Sequence, residues 1–146
     1  MDQKYSPLLL EKQLCFPLYA CSRELIKRSR PYLDKLGLTY TQYAVMQVIW
    51  EMGTVSVRDL GNRLYLDSGT LTPVLKTLEK QQLILRARSR KDERVLLVTA
   101  TEEGLALREE ALSAPEMLED CPALEEQERQ VLHQLLNKIL HTAKKD

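Results

Sequence analysis

The stretch SVRDLGNRLYLDSGTLTPVLKTLEK, residues 56–80, carries two short amphipathic helices separated by a tight break. Ser56 and Asp59 have the S-x-x-D spacing that caps a helix start. Val57, Leu60 and Leu64 then recur at intervals of three and four, which puts them on one helical face. After the break at Tyr65-Leu66-Asp67, the second helix covers residues 68–80. Leu71, Leu75 and Leu78 form its inward stripe, and Gly69, Pro73, Lys76, Thr77 and Lys80 fall on the opposite face. A helix pair whose second member is apolar inside and basic outside has the design of a unit that lays one helix in a DNA major groove.

The segments on either side extend this reading. Residues 83–89 alternate, with Ile84, Arg86 and Arg88 on one side and Leu85 and Ala87 on the other; residues 94–99 are rich in Val and Leu. Two strands joined at Arg90-Lys91-Asp92-Glu93 make a hairpin. Thr101-Glu102-Glu103 opens a further helix, with acids in its first turn as the helix dipole favours. Upstream, Thr41 is the expected N-cap of a helix over residues 42–52 that Gly53 ends. A first helix runs from about Leu8 to Arg30 on the stripe Leu10, Leu14, Leu18, Cys21 and Leu25. Pro17 either kinks it or sets its true start, and Pro31 and Gly37 bracket a short separate piece. Pro115 and Pro122 frame an acidic connector before a last helix, about Glu125 to Thr142, striped by Val131, Leu132, Leu135, Leu136, Ile139 and Leu140. Trp50 and Phe16 read as core, and His133 and His141 as surface or interface residues.

The fold class is therefore mainly α with a small β-hairpin: a winged helix-turn-helix over residues 41–100, flanked by dimerisation helices in 1–36 and 101–146. One protomer of 146 residues suits that reading. The hydrophobic fraction of 44% is that of a globular chain. No apolar run reaches the roughly 18 residues of a membrane span, and the N-terminus lacks a signal-peptide pattern, so the expected location is cytoplasmic with no membrane partner. No zinc spacing or cofactor loop is present, so neither metal nor cofactor is expected. The formal charge is zero, from 21 basic and 21 acidic side chains, yet residues 1–100 sum to +6 and residues 101–146 to −6. The basic part holds the reader and the hairpin; the acidic part holds the connector and last helix.

On this reading the partner is double-stranded DNA. Ser68, Thr70, Thr72, Pro73, Lys76, Thr77 and Lys80 face it from the second helix, where hydroxyls and helix-start N–H groups suit phosphate oxygens. Arg86, Arg88, Arg90, Lys91, Asp92 and Arg94 make a hairpin of net positive charge that suits phosphates or a minor groove. A charged run is most often only a solvated surface; its position directly after the helix pair turns the reading toward DNA. Flanking amphipathic helices that bury each other across a two-fold axis give a homodimer. Its two readers then lie roughly 34 Å apart, on a pseudo-palindromic operator.

The segments Leu14-Cys15-Phe16, Tyr19-Ala20, Ser22-Arg23-Glu24, Leu38-Thr39-Tyr40-Thr41-Gln42-Tyr43, LDSGTLTP (66–73) and KDER (91–94) resemble the MarR family, within it the OhrR-type organic-hydroperoxide-sensing repressors. The similarity covers about residues 8–105. It implies a dimeric repressor that leaves DNA when its N-terminal cysteine, here Cys15, is oxidised by an organic hydroperoxide. It also implies tyrosine hydroxyls around the thiolate. Tyr40 matches one such position; the other falls at Ser29, a departure for which Tyr32 or Tyr19 can compensate. Some members carry a second, resolving cysteine in the C-terminal part, and Cys121 sits in that region, so an intersubunit Cys15–Cys121 disulfide is an expected end state. Thiolate attack on a hydroperoxide gives a sulfenic acid that a second thiol converts to a disulfide. Cys21, six residues from Cys15, reads as packing.

Two other readings compete. A regulator of the same fold can answer to a non-covalent phenolic or drug-like ligand, with Cys15 as packing only. A thiol peroxidase has no support beyond the thiols themselves, and the chain is not read as an enzyme.

Overall fold

A computed structural model describes residues 2–114 and 123–143. Cys121 and most of the acidic connector lie outside the described residues. Two 3-10 segments, Gln3–Leu8 and Leu10–Lys12, lead into helix α1, Cys15–Leu36. Then follow α2 (Tyr40–Met52), β1 (Thr54–Ser56), α3 (Val57–Leu64), α4 (Ser68–Lys80), β2 (Ile84–Arg88), β3 (Leu96–Ala100) and α5 (Glu102–Glu110). A final long helix, α6, spans Glu126–Ala143. None of these helices is long and apolar enough to cross a membrane.

Side chains set most of the boundaries. The helix over residues 42–52 starts earlier than Thr41 predicts: Thr39 is the N-cap, and its hydroxyl accepts from the Gln42 N–H while the Gln42 side chain accepts from the Thr39 N–H. That reciprocal box satisfies two donors at once, which a single hydroxyl at Thr41 cannot do. Gly53 closes α2 at φ 76°, a conformation that favours glycine. Ser56 caps α3 as its spacing implies, accepting from the Asp59 N–H at 3.0 Å. Between α3 and α4 the chain turns through Tyr65 at φ 56°. A β-carbon on Gly61 would stand 2.7 Å from the Leu66 carbonyl oxygen, so the turn closes only around a glycine.

Helix α1 differs most from expectation. It begins at Cys15 rather than near Leu8, so Pro17 falls in the first turn, where its missing N–H costs nothing. Pro31 does not divide it: the helix runs on through Leu36. Leu33 and Leu36, beyond the proline, are buried in the core, and that burial offsets the roughly 3 kcal/mol of an interior proline. Phe16 is not core; it is 41% exposed. Trp50 does pack against the core, its indole N–H donating to the Gly104 carbonyl at 2.8 Å.

The hairpin is part of a three-stranded antiparallel sheet of order β1-β3-β2. Val55 pairs with Val98 on one side and Arg86 pairs with Val98 on the other. β3 begins at Leu96, two residues later than residue 94, because Val95 closes the loop by donating to the Asp92 carbonyl and accepting from the Ser89 N–H. The core lies where α2, α3, α4 and the sheet converge on Val45, Met46, Ile49, Leu60, Leu71, Leu75, Leu78, Ile84 and Val98.

Candidate nucleic-acid interface and thiol site

Helix α4 is anchored by its inner stripe, so its outer face has a fixed direction. Leu71, Leu75 and Leu78 are buried; Ser68, Thr70, Pro73, Lys76, Thr77 and Lys80 are exposed and Thr72 is half-buried. The helix start is capped by Asp67, which accepts from the Thr70 N–H at 2.7 Å. The bonds from Thr70 hold the Asp67 carboxyl below its ordinary range. Three hydroxyls are already committed as donors: Thr70 to the Asp67 carboxylate, Thr72 to the Ser68 carbonyl at 2.7 Å and Thr77 to the Pro73 carbonyl at 3.0 Å. At the cap the outer face thus offers the Ser68 hydroxyl, and along its length the ammonium groups of Lys76 and Lys80.

The wing holds its cations in three ways. Arg88, Arg90 and Lys91 are exposed on β2 and its loop. Arg94 stands at the tip with its side chain 91% exposed, steered by Asp92, which accepts from its backbone N–H at 3.1 Å and its Nε at 3.1 Å. These bonds pull the Asp92 carboxyl below its usual value. Arg86 behaves differently. Its Nε and Nη2 donate to the two carboxylate oxygens of Glu79 at 3.1 and 3.0 Å, and its side chain is only 18% exposed. The alternation that groups Arg86 with Arg88 therefore conceals a difference: one is turned to α4 and the other to solvent.

Cys15 is exposed at the first residue of α1. Its neighbours Leu14 and Pro17 line a cavity of about 680 Å³ between α1, α2 and α6. Leu18, Leu25, Ile26, Leu132 and Leu136 make its walls apolar; Tyr40, Tyr43, Gln47, Ser22 and Ser29 supply its polar groups. Tyr40 lies on the cavity wall with its ring centroid 6.4 Å from that of Tyr43. Tyr19 lies four residues from Cys15 on α1, its ring capped by the Arg23 guanidinium at 5.4 Å. Tyr32 packs half-buried against the core. Ser29 is buried, with its hydroxyl donating to the Ile26 carbonyl at 2.6 Å. Cys21 is not a packed thiol: it is exposed and lines the same cavity. Helical periodicity misses this because the stripe that holds Cys21 faces the cavity, not the core.

A model of the transcriptional regulators SarA/Rot matches residues 26–110. The organic hydroperoxide resistance transcriptional regulator of Bacillus subtilis (strain 168) is 51% identical over 115 residues, covering 79% of this chain and 78% of its own. The HTH-type transcriptional regulator SarZ of Staphylococcus aureus (strain USA300) is 48% identical over 99 residues, 68% of this chain and 67% of its own. Among solved structures, reduced AbfR bound to DNA superposes with a TM-score of 0.76 at 30% identity, covering 97% of this chain and 99% of that one. AbfR, from Staphylococcus epidermidis, has also been solved overoxidized on DNA and in a disulfide-formed state.

Proposed function

This chain belongs to the SarA/Rot transcriptional regulators, in the OhrR-type branch of the MarR family, and on that premise we propose that it is a homodimeric, redox-sensing repressor released from its operator when an organic hydroperoxide oxidises Cys15. Its relatives are DNA-binding transcriptional regulators rather than enzymes, and so is this chain. The winged helix-turn-helix provides the DNA face, with α4 in the major groove and the Arg94 tip on the phosphates or in the minor groove. We place it in the cytoplasm, with the DNA it reads.

Dimerisation is carried by the apolar faces left open at both ends of the protomer. Leu14 is 68% exposed, and Val131, Leu132, Leu135, Ile139 and Leu140 of α6 are all exposed. Contiguous apolar surface of this kind marks an interface, and a two-fold axis through it sets two α4 helices on one face of the duplex, facing a pseudo-palindromic operator.

The single observation behind the redox reading is the place of Cys15: an exposed thiol at a helix start, next to Leu14 and two residues before Pro17, both of which line a largely apolar cavity. The cavity takes the organic body of the hydroperoxide, and the thiolate attacks the terminal oxygen of its O–O bond. One proton is taken up, the alcohol leaves, and Cys15 becomes a sulfenic acid. A second thiol, Cys121 of the other subunit in this proposal, then displaces water to form a disulfide. Tyr40 on the cavity wall is the hydroxyl nearest in role to a thiolate partner, with Tyr19 and Tyr32 on α1 as the others.

Cys15→Ser tests the reading: it binds DNA like wild type but is not released by cumene hydroperoxide, whereas wild type is. Release of the variant by the oxidant would remove Cys15 as sensor. Non-reducing electrophoresis of Cys121→Ser tests the resolver; a peroxide-induced dimer band that survives the substitution excludes Cys121. The cavity itself favours a second reading, a non-covalent phenolic effector, since its volume and mixed lining suit a small organic ligand. Under that reading a phenol releases Cys15→Ser as readily as wild type.

A further inference from the structure

We propose that Arg86 and Glu79 form a positioning pair for DNA recognition, a fork that fixes the wing against the reading helix, and that Arg86 is not itself a phosphate contact. The proposal rests on reading α4 and the wing as the DNA face.

Glu79 is the penultimate residue of α4 and Arg86 the third of β2. The residues between them form the joint through which the recognition helix passes into the wing. That joint turns sharply, with Gln82 at φ 63°. Its backbone is held by the Gln82 N–H on the Glu79 carbonyl at 2.9 Å and the Leu83 N–H on the Leu78 carbonyl at 3.0 Å. Both bonds lie at the joint itself. The Arg86–Glu79 fork spans it from outside, so it acts with the longer lever arm.

The fork restrains direction as well as distance. Two parallel N–H···O bonds from a planar guanidinium fix the relative plane of the two groups, which a single lysine ammonium cannot do. Arg86 also sits opposite Val98 in the centre of the β2–β3 register, and Val98 is fully buried. A shift at Arg86 is therefore passed to both wing strands, and from there to Arg94.

The charges agree with this role. Hydrogen bonds from Arg86 hold the Glu79 carboxyl below its usual range, and the same bonds raise the Arg86 guanidinium, so the pair stays ionised. The guanidinium positive charge is matched by the carboxylate, leaving the wing's attraction for phosphate to Arg88, Arg90, Lys91 and Arg94. A residue that sets the separation of two DNA-contacting elements affects specific binding, where both must meet their grooves together, more than non-specific binding, which tolerates many poses.

The test is a charge swap. The probes are a duplex enriched from a random-sequence pool by the wild-type protein and a scrambled duplex of equal length. Arg86→Glu and Glu79→Arg each lower affinity for the enriched duplex at least tenfold and shrink its advantage over the scrambled one. The double variant, with the ions exchanged, recovers to within about threefold of wild type. Arg86→Gln weakens specific binding yet keeps the wild-type dependence of log K on log salt. Two results overturn the proposal: a double variant as weak as Arg86→Glu, since a carboxylate at 86 then repels phosphate, or an Arg86→Gln salt slope reduced by about one, the signature of a lost phosphate contact. Failure of the DNA reading itself shows separately, as a wild-type protein that enriches no duplex.

Discussion

The reader and the flanks use the same apolar residue types in opposite ways. In the reader, Leu60, Leu71, Leu75, Leu78, Ile84 and Val98 lie within one core, and the helices around it start at side-chain caps, Thr39, Ser56, Asp67 and Thr101. In the flanks, Leu14 before α1, Leu25 and Ile26 of α1 and Val131, Leu135 and Ile139 of α6 are exposed, and no α6 residue is buried. The reader is a finished unit, whereas the flanks, under the proposed dimer, await a second copy of the chain. On that proposal, burial of apolar surface stabilises the reader at any concentration and the flanks only upon association.

Truncations at matched leucines break that comparison most directly. Leu75→Ala, in the fully buried stripe of α4, costs about 2–5 kcal/mol by denaturant unfolding. Leu135→Ala on α6 leaves the unfolding of the reader nearly unchanged and instead raises the dimer dissociation constant, read by sedimentation. A Leu135→Ala chain as destabilised as Leu75→Ala would mean that α6 packs on its own protomer.

A smaller effect separates the wing's cations. Arg94→Ala lowers DNA affinity and reduces the salt slope by about one, in contrast to Arg86→Gln. An unchanged slope for Arg94→Ala would take the wing tip off the phosphates.

The smallest effect concerns acid. Asp67, Asp92 and Glu79 have carboxyls lowered by their hydrogen bonds in the fold. A depressed folded-state pKa contributes stability that is present above the unfolded value and lost as pH falls through the folded one. The reader therefore keeps its caps and wing geometry through neutral and mildly acidic pH and loosens only below the ordinary carboxylate range, near 4. Asp67→Asn flattens the acid limb of a thermal-melt pH series; an unaltered limb would mean that the cap has no charge-dependent part.

Much of the fold could be read because local rules act over a few residues. Ser56 with Asp59, the Leu71–Leu75–Leu78 stripe and Thr101 before two glutamates each fix an element from within itself. The misses with the widest consequences involve partners distant in sequence. Thr54–Ser56 is too short to signal a strand alone and becomes one by pairing with Leu97–Thr99. Pro31 ends a helix by local rules but is carried through by the burial of Leu33 and Leu36. Cys21 lies on the stripe of α1 that local rules assign to the core, and only the placing of α2 and α6 turns that stripe into a cavity wall.

The candidate DNA residues were legible as a set, but their roles were not. The sequence by itself determined the helix pair, the basic hairpin and the separation of charge into a positive reader and a negative end, since periodicity, caps and charge are properties of neighbouring residues. Tertiary structure decided which cation faces out and which is spent inside: Arg94 steered outward by Asp92, Arg86 folded back onto Glu79. Both are arginines in one hairpin, and what separates them is a carboxylate seven residues away, brought within 3.0 Å only when α4 and β2 meet across a turn.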